Sequence, residues 1–93
     1  MRPVTVTVVG ADTSDPIRVN YRQPNFKVGI GCSIVSGAVS YTVQHSFDGT
    51  NWFNNTDLVT ETTAGDTSYL FPVQYIRLVN ADTGTVSMTL LQG

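Results

Sequence analysis

The sequence predicts an all-β chain: one single-domain antiparallel β-sandwich of jelly-roll or immunoglobulin-like type, with seven to eight short strands over residues 1–93. Three observations predict this fold class. Thr and Val supply 13 residues each, and β-branched side chains suit a pleated sheet. Apolar and polar residues alternate with a period of two in several short runs, whereas no window shows helical periodicity. Turn-forming residues separate these runs at regular spacing, which is typical of sandwiches.

The N-terminal half of the chain divides into four strands separated by polar connections. Val4, Val6 and Val8 alternate with polar residues in the first strand, and the Asp and Ser residues of Gly10–Pro16 favour a loop. Cys32 falls on the apolar face of the third strand, so we expect a small buried hydrophobe and not a catalytic thiol. The predicted strands of this half are Pro3–Val9, Ile17–Tyr21, Phe26–Val35 and Val39–Phe47.

The clearest hairpin signal follows the fourth strand. Asp48-Gly49 favours a tight turn, because glycine accepts the positive φ that primed turns require. Trp52 and Phe53 then open a short fifth strand. His45 lies on the apolar face of the fourth strand, where we expect a hydrogen-bonded core or strand-end residue.

The C-terminal half contains the remaining strands. Asn54–Gly65 is the least regular region, and Pro72 marks a strand boundary because proline cannot donate to a central ladder. Ala81–Gly84 predicts a tight turn before the last strand. The strands predicted here are an edge strand at Leu58–Thr62, then Thr67–Phe71, Val73–Asn80 and Thr85–Leu91.

The charge content bounds the possible partners. Only 13% of the residues are charged and the net charge is −2, against an ordinary charged fraction of about 25%. The basic residues are dispersed, so the electrostatic footprint of a nucleic-acid-binding protein is absent. No apolar run has the length of a membrane span. Alternation begins directly after Met1, from which we expect no signal peptide and synthesis in a cytoplasm.

The residue types needed for catalysis or metal binding are sparse. One histidine and one cysteine are too few for a zinc site, and no nucleophile elbow is present. Asp12 and Asp15 share one loop, and Asp48 and Asn51 share another, where their oxygens could hold calcium. Turn formation is the expected role of these residues. We therefore expect no enzyme, no metal and no cofactor.

Aromatic residues are the remaining functional lead. The chain has four Tyr, four Phe and one Trp, and such side chains anchor protein interfaces or stack on sugars. Tyr75 and Arg77 alternate with Ile76 and Leu78, which predicts a Tyr–Arg stripe on an outer face as a contact patch.

Three stretches together resemble a known group of proteins. Val43–Trp52, Pro72–Leu78 and Gly84–Gln92 resemble small β-sandwich virion proteins of tailed bacteriophages, in particular capsid decoration or cement proteins. A weaker similarity links the first two stretches to discoidin and galactose-binding-like sandwiches. The phage resemblance implies a non-enzymatic protein that binds the major capsid protein on the outer capsid surface as a homo-oligomer, a trimer being favoured over a dimer.

Two functional hypotheses follow. The first is the decoration protein, which cross-links neighbouring shell subunits. The second is a carbohydrate-binding or tail-fibre adhesion module, with Trp52, Tyr69 and Tyr75 as stacking residues. The predicted partner contacts are Arg2, Pro3, Val4, Thr5, Val6, Asp12, Asp15, Asn54, Asn55, Tyr75 and Arg77.

Overall fold

The computed structural model of the chain describes residues 2–93. These residues form nine strands in two antiparallel sheets, and they contain no helix that is long and apolar enough to cross a membrane. The predicted all-β sandwich is thereby confirmed. The strands are β1 Val4–Val9, β2 Asp12–Thr13, β3 Ile17–Arg18, β4 Val28–Ser36, β5 Tyr41–Ser46, β6 Trp52–Asn54, β7 Gly65–Tyr69, β8 Tyr75–Asn80 and β9 Thr85–Gln92.

The strand order identifies the sandwich as a jelly roll. Sheet 1 has the order β1-β9-β4-β7, and sheet 2 has the order β2-β8-β5-β6 with β3 also beside β8. Both β2 and β3 pair with β8, so they are one strand interrupted at residues 14–16. The first strand lies beside the last, as in the double Greek key of jelly rolls, and not beside the second as in immunoglobulin domains.

The core lies between the two sheets and is formed by the inward positions of the alternating strands. Val28, Ile30 and Cys32 face it from sheet 1, and Tyr41 and Val43 face it from sheet 2. Val4 and Val6 of β1 are half-buried and pack against this core, as their alternation predicted. The other large side chains with almost no exposed surface are Tyr69, Ile76, Leu78, Met88, Leu90, Val73 and Val86.

The hairpin after β5 differs from its prediction. Ser46 pairs with Trp52, so residues 47–51 form a five-residue loop and not a two-residue turn. Gly49 has the predicted positive φ, at 84°. Asp48 organises the loop, because its Oδ1 accepts hydrogen bonds from the backbone nitrogens of Thr50 (2.8 Å) and Asn51 (2.9 Å). These bonds to the charged form hold the pKa of Asp48 far below its usual range.

Two further strand predictions need correction. The edge strand expected at Leu58–Thr62 is reduced to a single bridge between Glu61 and Tyr41. Thr60 has a φ of 47°, which is the left-handed region and breaks an extended run. The second predicted strand, Ile17–Tyr21, ends at Arg18.

Candidate functional site

The N-terminal contact residues predicted from the sequence lie together at one edge of the sandwich. Arg2–Val6 includes the start of β1, the edge strand of sheet 1, and β1 contacts β2, where Asp12 begins the edge of sheet 2. Asp15 follows on the same edge of sheet 2. Val4 and Val6 point partly into the core, and the other three residues of the segment are exposed.

The other predicted contact residues do not join that edge. Asn54 lies on β6, at the opposite edge of sheet 2. Asn55 is buried, and its Oδ1 accepts hydrogen bonds from the backbone nitrogens of Asp57 (2.8 Å) and Leu58 (3.3 Å). Its prediction as a contact residue is therefore corrected to an internal turn former, because the residue is buried and its Oδ1 already accepts two backbone hydrogen bonds.

Arg77 of the predicted Tyr–Arg stripe is part of a cross-strand network on the outer face of sheet 2. The guanidinium carbon of Arg77 lies 4.0 Å from the centroid of the Trp52 ring, a cation–π contact. Arg77 Nε donates to Gln44 Oε1 (2.8 Å), and Gln44 Nε2 donates to Asn54 Oδ1 (2.9 Å). Arg77 and Tyr75 are both half-buried. Partial desolvation lowers the pKa of Arg77.

The three stacking residues of the carbohydrate hypothesis do not form a common platform. Tyr69 is completely buried and faces the other sheet, so its place in that hypothesis is corrected to the core. Arg77 covers one face of the Trp52 ring. The ring of Tyr75 lies against Gly49, where a Cβ would be 3.1 Å from it.

The edge of β1 is unusually open for the edge of a sheet. Val4–Val9 pairs with β9 on one side, and none of residues 2–93 pairs with its other side. Proteins commonly protect such an edge with a charged residue, a proline or a bulge. The six residues of β1 contain no charge and no proline, and their pairing with β9 runs without a register shift. The edge can therefore accept another strand.

The other sheet edges carry the protection that β1 lacks. The edge formed by β2 and β3 is interrupted at residues 14–16, which include Asp15 and Pro16. β6 has only three residues. β7 contains Asp66, and Thr67 beside it donates a side-chain hydrogen bond to Asp57 Oδ2 (2.7 Å).

A second notable surface is formed by Phe47, Phe53 and Phe71, here called the aromatic patch. The three rings are about half exposed. They surround His45, whose ring centroid lies 5.6 Å from Phe47, 6.0 Å from Phe53 and 5.5 Å from Phe71. In the predicted strand Val39–Phe47, Phe47 is two residues after His45 and so shares its apolar face, but β5 ends at Ser46 and the Phe47 ring is exposed.

His45 and Tyr69 form a hydrogen-bonded pair beneath the aromatic patch. His45 Nδ1 lies 2.8 Å from the hydroxyl of Tyr69, and both side chains are buried. Burial lowers the pKa of His45 and raises that of Tyr69 to about 12. This is the hydrogen-bonded core role that the sequence predicted for His45. Both groups are therefore neutral at neutral pH.

We expect acidification to destabilise the fold through His45. Its pKa is lowered in the folded state, so below about pH 6.5 the unfolded chain binds a proton that the folded chain does not. The free energy of unfolding should fall as the pH drops from this value towards the folded-state pKa. Melting temperatures between pH 8 and pH 5 would show a smaller decline for His45→Gln than for the wild type. Parallel declines would contradict the assignment.

Cys32 and the acidic residues offer little chemistry. The thiol of Cys32 is 4% exposed, and burial raises its pKa to about 12, so the nucleophilic thiolate is scarce. Within residues 2–93, no group of three or more His, Cys, Asp or Glu side chains is placed to hold a metal ion. The arrangement is suited to binding another protein through an edge strand and an aromatic surface.

Comparison with known proteins shows the fold. Neither a family model nor a curated protein sequence matches the chain. A solved chain from Bacillus endospore appendages, described as "a novel family of disulfide-linked pili", aligns with 96% of this chain and 82% of its own length, with a TM-score of 0.55 and 12% sequence identity. At that identity the likeness concerns the β-sandwich fold alone.

Proposed function

We propose that the protein is a non-enzymatic structural subunit that binds the outer surface of a phage capsid and stabilises it by cross-linking neighbouring shell subunits. The open edge of β1 carries the proposal. A strand of the major capsid protein could extend sheet 1 at this edge through main-chain hydrogen bonds. The low charged fraction of 13% also suits a protein that works within an assembly and not as a free monomer.

The proposed mechanism is linkage between binding and shell stability. Each main-chain hydrogen bond contributes about 1 kcal/mol net, and β1 is six residues long. A ligand that binds only the assembled shell stabilises it by mass action. Many copies on one shell would make the effect cumulative.

A charge placed at the open edge tests this proposal. Thr7 and Ser33 lie in the same cross-strand row, since both pair with Ser87 of β9, but Thr7 is on the open edge of β1 and Ser33 lies on β4, on the other side of β9. We expect Thr7→Lys to weaken binding at least about tenfold, because a lysine at an edge opposes strand addition. Co-sedimentation with purified capsid shells measures the affinity.

Ser33→Lys is the matched control, because it adds the same charge to the same outer face on the far side of β9, away from the open edge of β1. It should bind like the wild type. Equal losses in both variants would show that the face is the contact and not the edge. Removal of residues 2–6 is a poorer test, since Val4 and Val6 pack against the core.

A second candidate function is a subunit of a pilus-like filament, favoured by the likeness to the endospore appendage chain. In that case the edge of β1 would accept a strand of a second copy. Cys32 is the only cysteine in the sequence and is buried, so disulfide linkage through it would require the fold to open. Electron microscopy of the purified protein separates the candidates: filaments favour the second, and dispersed particles that bind shells favour the first.

A further inference from the structure

The aromatic patch has the size and composition of an interface core. Phe47, Phe53 and Phe71 are 52%, 50% and 48% exposed, and Phe47 lies 5.9 Å and 6.3 Å from the other two, between ring centroids. Tyr21, which is 37% exposed, lines a depression together with Phe47 and Pro72. Because an aromatic side chain has about 200 Å² of surface, these rings offer roughly 350–400 Å² of apolar area.

The patch is also held in place before any partner arrives. Phe71 packs edge-to-face on both His45 and Tyr69, at centroid distances of 5.5 Å and 5.4 Å. The hydrogen bond between His45 and Tyr69 fixes the two buried rings beneath it. Association through the patch would therefore cost little side-chain entropy.

We propose that two copies of the chain associate through the aromatic patch, with a two-fold axis near Phe47. Interfaces are about 60% apolar, so this patch would be the core of an interface of roughly 600–700 Å² per copy. A specific interface buries about 800 Å² per partner, and weaker ones bury somewhat less. The patch is therefore sufficient for a dimer of modest affinity.

The charges at its rim favour a second copy as the occupant. Arg22 lies on the Tyr21 side of Phe47, with its Nε donating to the Tyr21 hydroxyl (3.2 Å). Asp48 lines a second depression, which Phe47 and Trp52 also line. In a two-fold contact, residue i of one copy meets residue j of the other. An axis at Phe47, which both depressions share, would bring the Tyr21 depression of one copy, with Arg22 beside it, towards the Asp48 depression of its partner.

A single patch favours a dimer over the trimer that the resemblance implied. A two-fold contact uses the same surface on both copies, whereas a ring of three requires two different complementary surfaces on each copy. Phe53 belongs to β6, and Phe71 follows β7, which is the edge of sheet 1 opposite to β1. The dimer would leave both β1 edges accessible. In the proposed capsid role it would be a bivalent cross-linker. That role rests on the proposed function, whereas the dimer itself does not.

The test is self-association of the isolated protein. Sedimentation velocity from about 1 to 500 µM should show a concentration-dependent shift from monomer to dimer. Phe47→Ser removes the central ring at a half-exposed position, and we expect it to raise the dissociation constant at least about 30-fold, as for a hot-spot residue. Arg22→Glu should weaken the dimer as well, because it places two carboxylates opposite each other.

Leu91→Ser is the matched control. Leu91 is 49% exposed and lies on β9 in sheet 1, away from the patch, so this variant should dimerise like the wild type. Circular dichroism would confirm that each variant is folded. A monomer at every concentration, a trimer, or a dimer that Phe47→Ser leaves intact would each overturn the proposal. None of these results depends on capsid binding, so failure here and failure of the proposed function are distinguishable.

Discussion

Replacing Asn80 with aspartate is expected to destabilise the protein by about 3–5 kcal/mol. Asn80 ends β8 and is 2% exposed. Its Nδ2, which carries two hydrogens, lies within hydrogen-bond distance of the carbonyl oxygens of Gly10 (3.0 Å), Asp82 (3.1 Å) and Gly84 (3.0 Å), so the two N–H groups share three acceptors. Its Oδ1 accepts from the backbone nitrogen of Ser40 (3.1 Å). One side chain thus joins the β1–β2, β4–β5 and β8–β9 connections.

The cost of Asn80→Asp comes from replacing a donor with an acceptor. A carboxylate oxygen at the position of Nδ2 would face three carbonyl oxygens with no positive partner. An uncompensated buried charge costs about 3–5 kcal/mol, a large part of the ~5–14 kcal/mol expected for a domain of this size. Urea denaturation followed by circular dichroism measures the loss.

Asn54→Asp is the control, because Asn54 is exposed and its Oδ1 is an acceptor that aspartate retains. It should change the free energy of unfolding by less than about 0.5 kcal/mol, as ordinary surface substitutions do. The Asn80→Asp protein should also gain stability relative to the wild type on acidification, since the folded state would prefer the protonated acid. An Asn80→Asp protein as stable as Asn54→Asp would show that the three contacts carry little energy.

Replacing Gly84 with alanine is expected to have the second-largest effect. Gly84 lies where the β8–β9 turn crosses the β4–β5 connection, and its nitrogen donates to the carbonyl oxygen of Ala38 (2.6 Å). An added Cβ would overlap with that oxygen and lie 2.7 Å from the carbonyl oxygen of Ser36. Both are backbone atoms, so the two connections must separate. Overpacking of this kind costs about 3 kcal/mol.

Gly31→Ala provides the contrast in the same fold. Gly31 is exposed on β4, and a Cβ there would have nothing within 4 Å. Loss of glycine flexibility in the unfolded chain should then leave stability unchanged or raise it by ~0.4–1 kcal/mol. Thermal denaturation of both variants tests the difference. If Gly84→Ala and Gly31→Ala have the same melting temperature, the close approach of the two connections is not rigid.

The sequence predicted part of the candidate site. Aromatic content pointed to an interface, but it did not distinguish Tyr69, which is buried, from Phe47, which is exposed. Alternation placed Phe47 on the apolar face of its strand, and Tyr69 was predicted to be a stacking residue. The outcome depends on where β5 and β7 end, because a residue just beyond a strand no longer follows the period of two. No pattern in the sequence marks those ends to within one residue.

The open edge of β1 was likewise predictable from the sequence only in part. The sequence singled out Arg2–Val6 as a contact segment and predicted a strand there. Its uncharged Val-Thr alternation was visible, but whether such a strand lies at an edge or in the middle of a sheet depends on its neighbours. Asn55 was predicted to be an exposed contact residue because it is polar and lies in an irregular segment. It is buried instead, and its Oδ1 accepts two backbone hydrogen bonds there.

The sequence by itself determined the all-β class, the antiparallel character and most inward-facing residues, because side-chain alternation and turn formation are local properties of the chain. The tertiary structure decided the jelly-roll order, the unpaired edge of β1 and the exposure of the aromatic patch. These depend on pairing between strands far apart in the sequence, such as β1 with β9. Such pairing is settled by the packing of the whole sandwich and leaves no local signature in either strand.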